Sequence, residues 1–371
     1  MNQIPKIIAF YLPQFHPIPE NDEWWGKGFT EWTNVGKAKP LYKGHYQPRV
    51  PADLGYYDLR LPIIREQQAE LAREAGVYGF CYWHYWFGNG KELIEGPFNE
   101  VLNSGKPDFP FCLAWANTSW IASSWKLEET KKTVLQEQLY PGEQDNYLHF
   151  TRYKKAFADR RYIRINNRPV FLIYRPFNFP DISSFFNQWN ELIKQEKIAE
   201  SFYFVACTDL PEEHEKAISL GFDAVTCNPI KRMEKEYDNK SYIHLQFLRV
   251  MQHFTNRPYK VIPYKKAIKH IFTEEDKRED TMPIIMPNWD RSPRAGKYAV
   301  IWDDSRPSYF KEHVKEVLNG IRHKQNKIIF LKSWNEWAEG NYMEPDTKFG
   351  HGYIKALKEA LEEEELYYLK Q

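Results

Sequence analysis

The chain has 371 residues, and its 51 Lys and Arg residues nearly balance 50 Asp and Glu residues, giving a formal net charge of +1. A charge this small produces no overall field that would attract nucleic acid or an anionic membrane, so we expect no nucleic-acid partner. The four cysteines, Cys81, Cys112, Cys207 and Cys227, lie singly in apolar runs, without the paired spacing of zinc or redox sites. They predict small core residues in a reducing compartment.

The first apolar run, residues 7–12, is bounded by Pro5 and Pro13. It is too short for the hydrophobic part of a secretory signal and too short to span a membrane. We therefore expect a cytoplasmic protein with no membrane span.

Short apolar runs alternate with amphipathic segments along the chain. The runs predict eight strands, at residues 7–11, 78–83, 111–115, 169–174, 203–207, 224–227, 283–286 and 327–331. The amphipathic segments predict helices at residues 58–75, 182–196, 212–220 and 309–323. The first of these helices has Asp58 as a candidate N-cap, Pro62 in its first turn and Gly76 just past its end.

Strands that are apolar throughout and alternate with helices are typical of parallel sheets covered on both faces. Eight of them predict an α/β protein with a single (β/α)8 barrel, the TIM-barrel fold. An open, doubly wound sheet is the structural rival, but the turn after its first strand needs glycines where this chain has Pro13 and Pro17.

We expect one catalytic barrel domain over residues 1–371, with long insertions at about 17–54 and 230–280. Residues 231–278 carry twelve Lys and Arg against six Asp and Glu. This pattern favours a solvated helical excursion over a docking face for an acidic partner. The sequence identifies no protein partner.

In such a barrel the functional residues follow the carboxyl ends of the strands, which meet at one mouth. Aromatic residues form 16% of the chain and cluster at these ends, which is typical of a carbohydrate cleft. Arg175, Asp209 and Asn228 also end predicted strands. The residues that we expect to contact an oligosaccharide or polysaccharide are Tyr11, Gln14, His16, His84, Tyr85, Trp86, Trp115, Asn117, Tyr174, Asn288, Trp289, Asp290, Trp334 and Asn335.

Two carboxylates, Glu336 and Glu339, directly follow the eighth strand and are flanked by Trp334 and Trp337. A Glu-x-x-Glu pair is most often a solvated helix face. Beside indole rings at a strand end, however, it favours an acid and a base with separated pKa values. We therefore expect Glu336 and Glu339 to be catalytic, and we expect neither a metal ion nor a cofactor.

Five segments together resemble the WbsX-like proteins, which are found among polysaccharide and O-antigen biosynthesis genes and are related to glycoside hydrolase family 99. They are FYLPQFH at 10–16, WWGKGFTEW at 24–32, GFCYWHYWF at 79–87, AWAN at 114–117 and WNEWAEG at 334–340. The resemblance covers essentially the whole chain. It implies a (β/α)8 barrel with the chemistry of an endo-α-mannosidase.

The resemblance further implies retention of anomeric configuration through a 1,2-anhydro sugar. Glu336 would remove the proton of the sugar 2-OH, and Glu339 would protonate the leaving oxygen and then activate water. This route needs a 2-OH trans to the leaving group, as in α-linked mannose or rhamnose. The commoner retaining scheme, in which the second carboxylate attacks the anomeric carbon, has the same sequence spacing.

Two other functions stay open at this point. The first is a glycosyltransferase or transglycosylase that builds O-antigen or another surface polysaccharide, although the chain has no glycine-rich nucleotide loop and no Asp-x-Asp motif. The second is a sugar-binding barrel without catalysis. The chain also departs from the family pattern, because Thr118 stands where Glu is common and Ala122-Ser123-Ser124 precedes Trp125. This departure concerns a substrate subsite rather than the carboxylate pair.

Overall fold

The computed structural model describes residues 4–122, 133–238, 242–255, 257–258 and 260–370. Residues 123–125 of the departing segment lie outside these ranges. Eight parallel strands form the central sheet: β1 Lys6–Tyr11, β2 Val77–Trp86, β3 Phe111–Trp115, β4 Arg168–Ile173, β5 Tyr203–Thr208, β6 Ala224–Cys227, β7 Ile284–Ile285 and β8 Ile328–Leu331. Each lies at a predicted run, and β2 extends three residues further than expected.

The sheet order is β6-β5-β4-β3-β2-β1-β8-β7. A parallel bridge between Val225 of β6 and Thr281, just before β7, joins the two ends. There the Val225 amide donates to the Asp280 carbonyl and the Met282 amide donates to the Val225 carbonyl, each at 2.8 Å. The predicted (β/α)8 barrel is confirmed.

Thirteen α-helices surround the strands or lie in the connections, within the described ranges. They are α1 Pro19–Trp25, α2 Glu31–Lys37, α3 Pro62–Glu74, α4 Gly96–Ser104, α5 Glu143–Phe157, α6 Ile182–Gln195, α7 His214–Ser219, α8 Pro229–Asp238, α9 Tyr242–Thr255, α10 Tyr264–Ala267, α11 Ser292–Ala295, α12 Pro307–Gly320 and α13 Gly352–Leu369. Along the described parts of the chain, no helix is both long and apolar enough to cross a lipid bilayer.

Short strand pairs decorate this frame. Glu92–Leu93 pairs with β2 and Arg164–Ile165 with β4. Three separate two-stranded ribbons join Trp120–Ile121 to Val134–Gln136, Val261–Pro263 to Ile301–Asp303, and Asn335–Glu336 to Asn341–Tyr342. The last ribbon carries one of the two predicted catalytic carboxylates.

The predicted N-cap of the first long helix is wrong. Helix α3 begins at Pro62, because proline lacks an amide hydrogen and its fixed φ suits the first helical turn. Asp58 lies upstream and instead accepts hydrogen bonds from the amide and the guanidinium group of Arg60. Gly76 does follow the helix, with a φ of +81°, and a Cβ there would lie 2.6 Å from Leu361.

The barrel interior is filled by aromatic and small side chains. Phe10 of β1 stacks between Trp83 and Phe330, with ring centroids 4.8 Å and 4.9 Å away. All four cysteines are buried and unpaired, as expected of small core residues. This packed interior fills the barrel below the mouth that lies at the carboxyl ends of the strands.

Candidate active site

The segment after β8 is tied to the segment after β1. The Trp334 amide donates to the Phe10 carbonyl at 2.8 Å. The Asn335 side chain accepts from the Leu12 amide at 2.8 Å and donates to the Leu12 carbonyl at 3.0 Å. Asn335 is fully buried, so its side chain fixes the backbone at the mouth. The prediction that Asn335 contacts substrate is therefore corrected.

A tight turn brings the two predicted catalytic carboxylates together. Glu336 ends one strand of the last ribbon, and the 3₁₀ turn Trp337–Glu339 reverses the chain before the other strand. The side chains of Glu336 and Glu339 are hydrogen-bonded to each other. Gly340 completes the turn at a φ of +60°, where an added Cβ would lie 2.8 Å from the Cβ of Asp290.

The two tryptophans of this turn are structural. Trp334 and Trp337 are both 0% exposed. Trp337 stacks on Tyr342 at 3.7 Å and donates its indole N–H to Glu344 at 2.6 Å, while Trp334 packs against Phe80. The prediction that Trp334 binds sugar is therefore corrected, because no sugar can reach a fully buried ring.

Arginines and a lysine surround the carboxylate pair. Arg294 of α11 donates from Nη1 to Glu339 at 2.7 Å, and from Nε and Nη2 to Glu31 of α2 at 3.0 Å and 2.7 Å. The Nε of Arg291 lies 3.8 Å from Glu339. Lys332, buried at the end of β8, interacts electrostatically with both members of the pair.

The surroundings separate the pKa values of the two carboxyl groups. Burial and the negative charge of Glu339 raise the pKa of Glu336. Burial also acts to raise the pKa of Glu339, but the positive charges of Arg294, Arg291 and Lys332, together with the hydrogen bond to Glu336, outweigh burial and lower that pKa. These opposite shifts favour a pair in which Glu336 keeps its proton to higher pH than Glu339 does. The roles that the family resemblance implies need the reverse distribution, with the proton on Glu339 in the first step.

The pair lines a cleft of about 770 Å³ at the barrel mouth. Six of the predicted site residues line it, namely Gln14, Tyr85, Tyr174, Trp289, Glu336 and Glu339. Arg175 and Asn228, which also end strands, line it as well, as does Thr118 at the departure from the family pattern. Further aromatic surface comes from Trp83, Trp120 and Tyr298.

Four predicted substrate contacts point away from this cleft. Tyr11 donates its hydroxyl to Gln68 of α3 at 2.7 Å. On β2, the Nε2 of His84 lies 2.9 Å from the Nε2 of His149, and Trp86 donates its indole N–H to Asp145, both on α5. Trp115 packs against Phe185 of α6. Successive side chains of a strand point to opposite faces, so these four lie in the layer between sheet and helices.

Other predicted contacts hold loops in place. Asn117 is buried and accepts from the Arg175 amide at 2.7 Å while donating to the Arg175 carbonyl at 2.9 Å. Asn288 is buried and accepts from the Trp289 amide at 2.7 Å. Both asparagines therefore position neighbours that line the cleft.

Asp290 and His16 are also buried outside the cleft lining. Asp290 accepts hydrogen bonds from His45 at 2.9 Å and Gln47 at 2.8 Å, and it pairs with Arg49 at 3.4 Å. It thus fixes the segment around residue 45 to the loop after β7. Asp209 pairs with Arg175 at 2.5 Å, behind the cleft wall.

Sequence reasoning missed the charged residues that control the pair. Arg291 and Arg294 directly follow the predicted Asn288-Trp289-Asp290 strand end, so continuing that list by four residues would have included them. Lys332 likewise precedes the predicted segment 334–339. Nothing in the chain order links Glu31 to the pair, because Glu31 follows no predicted strand end directly and lies 263 residues from Arg294. Within the described ranges, no cluster of three His, Cys, Asp or Glu side chains could hold a metal ion.

Comparison with protein families gives a match over residues 7–357 to the family described as "Glycosyltransferase WbsX". Two Xanthomonas campestris pv. campestris proteins, from strains ATCC 33913 and B100 and both named "Uncharacterized protein WxcX", are 33% identical over 366 residues. The match covers 96% of this chain and 49% of each relative. The chain thus spans about half the length of these curated relatives.

Among solved structures, a "Glycoside hydrolase-like protein" superposes with a TM-score of 0.59 at 17% identity, covering 97% of this chain and 94% of that one. The endo-α-mannosidase of glycoside hydrolase family 99 from Bacteroides thetaiotaomicron, in complex with Bis-Tris propane, superposes with a TM-score of 0.58 at 14% identity, covering 99% of both chains. At these identities the similarity shows a shared fold.

Proposed function

The chain belongs to the family described as glycosyltransferase WbsX, and we propose that it is a retaining glycosidase that cleaves α-linked, manno-configured polysaccharide. One observation carries the proposal. Two buried, hydrogen-bonded carboxyl groups whose pKa values are shifted in opposite directions line the cleft at the mouth of the barrel, beside aromatic rings. General acid–base chemistry uses such a pair, in which one group holds its proton more tightly than the other.

The shape of the cleft supports a sugar substrate. Tyr85, Tyr174 and Trp289 present aromatic surface beside Gln14, Asn228 and the carboxylates. Aromatic rings match the C–H faces of pyranose rings, and polar groups around them bind the hydroxyls. The solved endo-α-mannosidase with a similar fold supports the manno configuration.

We propose the following steps, with the roles that the family resemblance implies. Glu336 takes the proton of the substrate 2-OH while O2 attacks C1, and the departing glycosidic oxygen takes a proton from Glu339. In the second step Glu339 takes a proton from water, and the water oxygen attacks C1 and opens the anhydro ring. O2 then recovers its proton from Glu336. The product retains its anomeric configuration.

This route requires the shared proton to move when substrate binds. In the free site Glu336 holds it, whereas the first step needs it on Glu339. The 2-OH would donate a hydrogen bond to Glu336 and favour its ionised form, which the charge of Lys332 also favours. Their hydrogen bond gives the proton a direct path to Glu339. The pH dependence of kcat, which reports the complex, should therefore differ from that of kcat/KM, which reports the free enzyme.

The family description favours a second function, transfer of a sugar onto a growing polysaccharide. A glycan screen with reducing-end detection, run with and without sugar nucleotides, separates the two. New reducing ends without any nucleotide would support hydrolysis, whereas product that depends on a sugar nucleotide would support transfer. Binding that produces no new reducing ends and survives Glu336→Gln would instead indicate a sugar-binding barrel.

A further inference from the structure

We propose that Glu31, acting through Arg294, is a positioning residue that holds Glu339 in its working place beside Glu336. The proposal rests on the proposed function of the carboxylate pair. It concerns a residue of the β1–β2 connection that lies 263 positions from its arginine partner.

The geometry of the guanidinium group carries the argument. Arg294 uses Nε and Nη2 for one oxygen of Glu31, at 3.0 Å and 2.7 Å, and Nη1 for Glu339, at 2.7 Å. A planar guanidinium group bound on two edges by two carboxylates has little freedom to rotate. The position of the Glu339 oxygen therefore depends on where Glu31 holds the arginine.

Glu31 is itself rigidly placed. It is the first residue of α2 and 0% exposed, and its second oxygen accepts from Asn34 at 3.3 Å. The next residue, Trp32, donates its indole N–H to the Tyr57 carbonyl at 2.8 Å. It also packs against Trp337, in the 3₁₀ turn that carries Glu339. The insertion that carries α2 is thus built into the mouth and presents one carboxylate to Arg294.

Charge gives this arrangement a second consequence. Arg294 is buried between two carboxylates, so Glu31 balances part of the positive charge that Glu339 experiences. Without Glu31 less of the positive charge of Arg294 would be compensated, so the arginine would favour ionisation of Glu336 more strongly and the pair would release its proton at lower pH. The other titratable or charged groups that face the pair are Arg291, Lys332 and Tyr85, and none of them changes in the variants below.

The test compares four single variants. Glu31→Gln removes a negative charge with little change in side-chain size, and Arg294→Gln removes a positive charge. Glu31→Asp keeps the charge but shortens the reach to Arg294. Glu20→Gln is the matched control, because Glu20 lies in the same insertion and pairs with Lys91 at 2.5 Å, outside the set of residues that line the cleft.

The first readout is the titration of the carboxyl carbons by ¹³C NMR in protein with ¹³C-labelled glutamate, where Glu336→Gln and Glu339→Gln assign the two signals. We expect the shared proton to leave about one pH unit lower in Glu31→Gln and about one unit higher in Arg294→Gln. Glu31→Asp and Glu20→Gln should titrate near the parent. This readout needs no substrate, so it tests the electrostatic link between Glu31, Arg294 and the carboxylate pair even if the proposed reaction fails.

The second readout is hydrolysis of an α-linked manno-oligosaccharide, whose departing glycosidic oxygen needs the proton of Glu339. Both limbs of the kcat/KM profile should move to lower pH in Glu31→Gln and to higher pH in Arg294→Gln. In Glu31→Asp, kcat should fall about 10²-fold while both limbs of the pH profile stay at their parental pH. The reason is that Arg294 shifts and the Glu339 carboxylate leaves its working position. Shifts in the same direction for the two Gln variants, or no shift in either, would overturn the proposal. Full activity of Glu339→Gln would instead overturn the proposed function.

Discussion

Along β2, Trp83 and Tyr85 face the cleft, whereas His84 and Trp86 face helix α5. The same contrast recurs on β1, where Leu12 lines the cleft and Tyr11 bonds to α3, and around β3, where Ala116 lines the cleft and Trp115 packs on α6. We refer to these two sets as the cleft-facing and the helix-facing side chains.

The comparison shows that chemically capable residue types are as common in the helix-facing layer as in the cleft. His84, Trp86 and Trp115 are polar or aromatic, yet the Nε2 of His84 and the indole N–H groups of the two tryptophans bond to neighbouring protein groups. A strand-end position therefore predicts proximity to the mouth, and the alternation of the strand decides which side chains reach substrate. The two layers should respond differently to mutation and to pH.

The largest effect should come from the cleft-facing carboxylates. Gln at either Glu336 or Glu339 should reduce turnover by at least about 10²-fold, because each variant removes one proton-transfer group. Initial rates of reducing-end release measure this, with circular dichroism to check the fold. Glu362→Gln, at an exposed position on α13, is the matched control and should keep parental turnover. Full activity in both catalytic variants would remove the pair from the mechanism.

The two carboxylates should then separate by leaving group. An α-glycosyl fluoride needs little protonation of its leaving group, so its cleavage should recover substantially in Glu339→Gln. It should stay slow in Glu336→Gln, because the 2-OH must still lose its proton. The 2-deoxy analogue should resist the parent enzyme. Rapid cleavage of that analogue would favour direct attack by a carboxylate on the anomeric carbon.

Tryptophans of the two layers offer the next contrast. Trp115→Ala should lower the free energy of unfolding by about 3–5 kcal/mol, because it removes a buried helix-facing ring. Trp289→Ala should instead raise KM, since it removes ring surface that lines the cleft. Urea unfolding and substrate titration measure the two quantities. If Trp115→Ala weakened substrate binding and left stability unchanged, the division into two layers would be wrong.

Much of the fold was predictable because a buried strand and an amphipathic helix have strong local signatures. The eight strands followed from the apolar runs, and the position of Glu336 and Glu339 followed from the residues that come directly after the eighth run. The helix-facing orientation of His84 did not, because continuous apolar strands carry no polar alternation to mark the two faces. Glu31 was not predictable as a partner of Arg294, since only the folded barrel brings α2 and α11 together.

The distribution of the shared proton was also beyond the sequence. The tryptophans beside the pair predicted an acid and a base without assigning them. Both indole rings turn inward, and the Glu339 carboxyl group meets Arg294. The electrostatics of a site depend on the few charges within reach, and those charges come from three different connections of the barrel.

The helix-facing layer should also control stability at acidic pH. Burial lowers the pKa of His84 to about 3 and that of His149 well below its ordinary value of 6.5. The unfolded chain takes up protons below about pH 6.5, whereas the folded chain does not until far lower pH. The free energy of unfolding should therefore be highest above that pH and fall as the pH is lowered towards 3. Each histidine should contribute a slope of about 1.4 kcal/mol per pH unit.

His84→Gln tests this origin of the acid sensitivity. The substitution removes one such titration, so urea unfolding between pH 6 and pH 4 should show a slope smaller by about one proton. The slope is the informative quantity, because lost contacts with His149 lower stability at every pH, whereas lost titration changes only the pH dependence. A parental slope in His84→Gln would place the acid sensitivity outside this layer. A reduced slope of the free energy of unfolding against pH would show that the helix-facing layer sets acid stability. An unchanged kcat/KM profile in the same variant would show that the cleft-facing carboxylates set the pH range of activity.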